Sequence, residues 1–177
     1  MYSLFKSAFF QINPEVAHDL TINSLQILGH CLGALRPMQG RACEVAGLRF
    51  ANPIGLAAGL DKDAQAVSGL SRLGFGHLEV GTVTPRAQSG NPKPRVFRLE
   101  KDTALINRLG FNNAGIDALV ARLSKQTYQG VIGVNIGKNK DTPNDAAYRD
   151  YVTCIKKAAP VADYISVNIS SPNTTDL

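Results

Sequence analysis

Four short runs of the sequence concentrate groups able to recognise a ligand. They read Ala58-Gly59-Leu60-Asp61-Lys62, Gly81-Thr82-Val83-Thr84, Asn135-Ile136-Gly137-Lys138-Asn139 and Asn168-Ile169-Ser170-Ser171-Pro172-Asn173. Asp61 is the one acid among them. Asparagine amides both donate and accept hydrogen bonds. The set therefore suits a flat, neutral heterocycle with alternating N–H and C=O groups, and a flavin edge and a pyrimidine both fit. Glycines at 59, 81 and 137 would let backbone approach a flat ring.

Each run closes an apolar stretch that reads as a strand. These expected strands cover 53–58, 77–83, 131–136 and 164–169, with helical patterns at 63–73, 114–124 and 145–159. Repeated β-α units imply an α/β fold with a parallel sheet. Four such units are half of an eight-fold (β/α) barrel, which typically needs about 250 residues. The last expected strand runs toward Leu177, so the barrel is expected to stay open over these residues. In such barrels ligands meet the C-terminal strand ends, where the polar runs fall. The connection 84–110 holds Pro85, Gly90, Pro92 and Pro94 and one expected strand at 95–99. A connection of that length is usually functional.

The first forty residues differ, with only Lys6, Glu15, Asp19 and Arg36 as charges. A short helix is expected at 3–10. Asn13-Pro14 then reads as a cap followed by proline at the first helical position. Gly33 and Pro37 end this second helix. The division expected is a helical hairpin at 1–40 and the start of a barrel at 41–177. The hairpin either packs on its own domain or lays its apolar face on a membrane. The uncharged stretch 20–35 contains Thr21, Asn23, Ser24, Gln26 and His30, and is too short and polar to span a bilayer. Residues 43–50 read as a small β-hairpin turning at Ala46-Gly47.

Composition narrows the partners. The 177 residues are 44% apolar with a formal net charge of +5, which fits a globular protein that meets anions or a membrane surface. The basic residues form no run of five, so a nucleic-acid arm is not expected. Three cysteines without a CxxC pair speak against a disulfide framework or a metal site. No signal peptide is read at the start. The stretch GVNIGKN at 133–139 has three residues between its glycines and lacks the serine or threonine of a phosphate loop. Two Asn-x-Ser/Thr triplets, at 168–170 and 173–175, are taken as chance matches.

Five stretches, AAGLDKD at 57–63, EVGTVTPR at 79–86, NRLGFNN at 107–113, NIGKNKDTP at 135–143 and NISSPNT at 168–174, resemble the signatures of dihydroorotate dehydrogenases, in the family's order. The resemblance runs from about residue 51 to the end. It implies oxidation of (S)-dihydroorotate to orotate in pyrimidine synthesis, with FMN as cofactor. It implies that Ala58, Gly59, Leu60, Asp61, Lys62, Thr82, Asn135 and Asn168 contact FMN. Lys62 would also meet the substrate carboxylate. Asn107, Asn168 and Asn173 would bind the pyrimidine, beside a wall made by Arg108, Leu109, Gly110 and Phe111. Ser171 would take the C5 proton while a hydride leaves C6. Serine in place of cysteine, and the N-terminal hairpin, both match the quinone-using, membrane-associated branch. That branch implies ubiquinone or menaquinone as acceptor, with His18 and Arg98 beside the quinone path. It implies peripheral attachment at the cytoplasmic face of the inner membrane.

Plainer readings stand beside these. Lys62 could be a solvated first-turn residue, His18 a helix-surface residue, and Ser171 before Pro172 a turn former. Asn113 is expected to cap the helix starting near 114 and Asn107 is not. Serine is a weak base, and no histidine or carboxylate is near Ser171 in sequence, so a water relay or strong positioning would be needed. Two rival functions remain: a related FMN barrel with a soluble acceptor, or an inactive piece of the enzyme.

Overall fold

A computed structural model of the chain describes Lys6 and residues 9–171. Of the expected helix at 3–10, Lys6, Phe9 and Phe10 are helical and the rest lies outside the described residues. Helix α1 then runs Pro14–Leu32. The Asn13 side chain accepts from the backbone N–H of Glu15 at 2.9 Å, and Gly33 takes the C-terminal cap with φ 68°. Both ends follow the sequence signals.

Strands β1 (Cys43–Val45) and β2 (Leu48–Phe50) form the expected hairpin. Its two-residue turn places Ala46 and Gly47 at positive φ, the twist that joins antiparallel strands most tightly. The main sheet follows: β3 (Gly55–Leu56), β4 (His77–Val83), β7 (Val131–Ile136) and β8 (Tyr164–Val167). They lie side by side in chain order and every pairing is parallel. Sequential parallel order with helical crossovers is how a barrel wall is laid down. The crossovers carry α2 (Val67–Leu70) with a 3-10 turn at Ser71–Leu73, α3 (Ile116–Leu123) and α4 (Ala147–Ala158).

Several elements are shorter than their patterns. The strand expected at 53–58 pairs only at Gly55 and Leu56. The stretch 63–73 becomes a loop, one turn of α-helix and a 3-10 turn. The connection 84–110 holds two strands where one was expected. β5 (Val96–Leu99) pairs antiparallel with β6 (Ala104–Asn107). All four residues of β6 are exposed, so no alternation marks it in the sequence.

The core lies between sheet and helices. Leu70, Leu78, Val80, Val83, Ile116, Leu119, Val134 and Ile136 are essentially inaccessible to solvent. Ile22 of α1 joins the same cluster. α1 crosses α2 backbone to backbone: a Cβ on Gly69 would lie 2.0 Å from the Leu25 carbonyl oxygen, and one on Gly29 2.5 Å from the Gly69 nitrogen.

Candidate active site at the strand ends

The C-terminal ends of β4, β7 and β8 place three polar side chains in one chain of hydrogen bonds. Thr82 donates through its hydroxyl to Asn135 Oδ1 at 2.6 Å. Asn168 Nδ2 lies 3.4 Å from the Thr82 hydroxyl. Below them Glu79 accepts from Asn135 Nδ2 at 2.9 Å and from the Tyr164 hydroxyl at 2.8 Å. Burial and this contact with Glu79 push the Tyr164 phenol well above its ordinary range. The amide of Asn135 is thus oriented from beneath by a carboxylate, which accepts only, so its carbonyl faces the threonine.

Of the three glycines expected to admit a flat ring, only Gly59 is open. A Cβ there would meet nothing within 4 Å. Gly81 packs on β7, where a Cβ would lie 2.2 Å from the Asn135 carbonyl oxygen, and Gly137 packs against the Phe111 ring. Gly59 also donates its backbone N–H to the Gly81 carbonyl at 2.8 Å, which fixes the loop after β3 to the end of β4.

Asp61 and Lys62 follow in that loop and diverge. The Asp61 carboxylate is buried and accepts from the backbone N–H of Gln65 at 2.8 Å and Ala66 at 2.7 Å. Burial raises its pKa, and the two backbone bonds pull it back. Its side chain holds the approach to α2 and is not turned to the cleft. Lys62 is half-buried. Burial pushes its ammonium below the ordinary lysine range, and the Arg95 guanidinium adds to this. Among the described residues its ammonium has no hydrogen-bonded partner, and it faces the adjoining cleft.

A cleft of about 570 Å³ opens beside this rim. Gly59, Leu60, Lys62, Asn107 and Leu109 line it together with His18 and Arg98. His18 Nε2 lies 2.6 Å from the Leu60 carbonyl oxygen, and Arg98 donates to the Ile12 carbonyl at 2.7 Å. Residues 18 and 98, far apart in sequence, therefore meet one space shared with the loop after β3. Arg108 points elsewhere: its guanidinium donates to the Pro94 carbonyl at 3.0 Å and lies over the Phe97 ring. Gly110 and Phe111 are buried, both at positive φ. Ala58 and Ser171 are half-buried, and Asn173 lies outside the described residues.

The family model for dihydroorotate dehydrogenase matches residues 41–177. The chain belongs to the dihydroorotate dehydrogenase family. It is 52% identical over its whole length to a dihydroorotate dehydrogenase (quinone) of Aromatoleum aromaticum and 51% identical to one of Pseudomonas putida. It spans 51% and 53% of those proteins, about half the length of the curated relatives it matches. Among solved structures, the ligand-free enzyme of Eimeria tenella superposes with a TM-score of 0.79 at 45% identity, over 92% of this chain and 47% of that one. The same enzyme in complex with ferulenol gives a TM-score of 0.77 at 44% identity, over 93% and 46%.

Within this chain Glu79, which sequence reasoning passed over, lies below the rim and orients it. Glu79 sits in a strand between Leu78 and Val80, and an acid flanked by core residues was the available signal. Asn139 is buried and donates through Nδ2 to the Arg86 carbonyl and to Gln88 Oε1, both at 2.9 Å. Asn113 was expected to cap the third helix. Instead Gly115 holds the cap position without a side-chain bond. Asn113 Oδ1 accepts from the Gly115 N–H at 2.8 Å and Nδ2 donates to the Thr84 hydroxyl at 2.9 Å, turning the chain just before the helix.

Proposed function

We propose that a protein carrying this chain oxidises (S)-dihydroorotate to orotate in pyrimidine synthesis, using FMN and passing electrons to a membrane quinone. The observation that carries this reading is the convergence of Gly59, Thr82, Asn135 and Asn168 on one rim beside Lys62. The residues suit FMN: the open face at Gly59 leaves space for a flat ring, and the amides and the threonine hydroxyl supply neutral donors and acceptors. On this reading Ala58, Gly59, Leu60, Lys62, Thr82, Asn135 and Asn168 hold the cofactor, with Asp61 contributing through the loop it braces. Bound FMN supplies the acceptor for the hydride that leaves C6 of the substrate. Lys62 pairs with the substrate carboxylate, which explains why a half-buried ammonium is kept without a hydrogen-bonded partner among the described residues. Asn107, Asn168 and Asn173 fix the pyrimidine. Ser171 removes the C5 proton.

The first forty residues serve the electron acceptor, and residues from 41 onward form the first half of an FMN-binding (β/α) barrel. His18 and Arg98 line the quinone end of the cleft. Val16, Leu20 and Ile27 of α1 are each at least half exposed and form the face that meets the membrane. Among the described residues no helix is long and apolar enough to cross a bilayer. On this reading attachment is peripheral, at the cytoplasmic face of the inner membrane.

The test uses a protein continuing this chain to the length of its relatives. Mixed anaerobically with dihydroorotate, it should lose its flavin colour, and added ubiquinone should restore it. Ser171→Ala should slow the bleaching about a hundredfold or more while leaving FMN content unchanged, because a base acts in the chemical step. Bleaching at the parent rate would remove Ser171 from this role.

A further inference from the structure

Resting on that reading, we propose that Glu15, in the first turn of α1, is a positioning residue for the pyrimidine segment 107–111 and acts through Arg95. The two side chains form a buried ion pair that joins the N-terminal helix to the connection after β4. Glu15 Oε1 accepts from Arg95 Nε at 2.9 Å, and the side chains are 14% and 7% exposed. Lys93 Nζ stands 3.7 Å from the same oxygen. The other arm of the Arg95 guanidinium donates to the carbonyls of Ser89 at 2.6 Å and Asn91 at 3.0 Å.

Those carbonyls belong to a loop that holds the pyrimidine segment. Asn91 donates its backbone N–H to the Leu109 carbonyl at 3.0 Å and its side-chain amide to the Arg108 carbonyl at 2.9 Å. Gln88 donates to the Gly110 carbonyl at 3.1 Å, and Arg108 N–H reaches the Arg95 carbonyl at 2.8 Å. The packing leaves no slack: a Cβ on Gly90 would lie 2.3 Å from the Leu109 carbonyl oxygen and 2.8 Å from Arg95 Nη1.

Removing the Glu15 carboxylate leaves a guanidinium buried without its counter-charge, a costly arrangement. Arg95 then moves toward solvent and its two carbonyl bonds go with it. The 88–91 loop loosens, and with it the backbone that presents Asn107 and Leu109 to the cleft. A shift well below an ångström there weakens a ligand held by oriented hydrogen bonds. Glu15 need not touch the pyrimidine for this to happen.

Orotate titration by calorimetry on the FMN-loaded, full-length protein tests it. Glu15→Ala should weaken orotate binding about tenfold with FMN content unchanged. Arg95→Lys keeps a charge for Glu15 but cannot fork to two carbonyls, and should lose affinity likewise. Glu15→Gln retains an acceptor oxygen and should bind closer to the parent than Glu15→Ala does. If Glu15→Ala does not fold, the Arg95→Lys and Glu15→Gln pair gives the same comparison. Variants that melt earlier yet bind orotate like the parent would make the ion pair merely structural and overturn the proposal. A parent that binds no orotate would overturn the functional reading, and the proposal with it.

Discussion

At the residue scale the informative groups are those whose surroundings oppose their ordinary charge. Lys62 carries an ammonium that burial and Arg95 both disfavour. Its folded pKa lies below the 10.5 of a free lysine, so the unfolded chain holds more protons between the two values. Stability of the ligand-free protein should therefore rise as pH climbs through that window. Orotate reverses the sense, because its carboxylate favours the ammonium. Affinity for orotate should be flat below the lowered pKa and fall as pH rises through it, and Lys62→Met should bind weakly and without this dependence. Calorimetry from neutral pH to about pH 10 measures it. A pH-independent affinity in the parent would disconnect Lys62 from the carboxylate. Lys62 and Asn168 were legible in the sequence because their types are unusual at strand ends. Glu79 was not singled out, since one acid in an apolar strand also reads as a solvated edge.

At the scale of elements α1 has two faces with different work. Ile22 and Gly29 are buried, and the close crossing of α2 pins that side to the core. Val16, Leu20 and Ile27 fall within about 40° of one another on a helix advancing 100° per residue, on the opposite side. An exposed apolar stripe on a pinned helix fits an interfacial role. Leu20→Asp combined with Ile27→Asp should abolish co-flotation with anionic liposomes while orotate affinity and thermal stability stay near the parent's. Unchanged flotation would move the membrane contact elsewhere. The ends of α1 were readable because capping is local: Asn13, Pro14 and Gly33 act within one turn. The face that packs inward was not, because apolar residues line both sides and only contact with Gly69 chooses between them.

On the scale of the whole molecule the described sheet has two open edges. β3 pairs only with β4, and β8 only with β7. Ile54 and Ile169, beside these edges, are more than 60% exposed. Exposed strand edges pair with further strands. The 177-residue polypeptide expressed alone should therefore self-associate and bind FMN weakly, with no measurable turnover. Light scattering with equilibrium dialysis checks this. A monomer that binds FMN stoichiometrically would show that four βα units suffice for the cofactor.

What the sequence determined by itself was local and periodic. Apolar strand runs alternating with helical patterns set the β-α order, caps set the ends of α1, and polar residues after each apolar run marked the rim. Five motifs in order carried the family. Tertiary structure alone decided which of these residues share a space. His18, Leu60, Arg98 and Asn107 line one cleft because the β5–β6 hairpin folds back onto α1, a contact no periodicity encodes. It also decided that Asp61 turns inward to backbone N–H groups while Lys62, one residue on, stays half-buried at the cleft. Neighbours in sequence are separated, and distant residues joined, by packing that satisfies buried polar groups across the whole sheet.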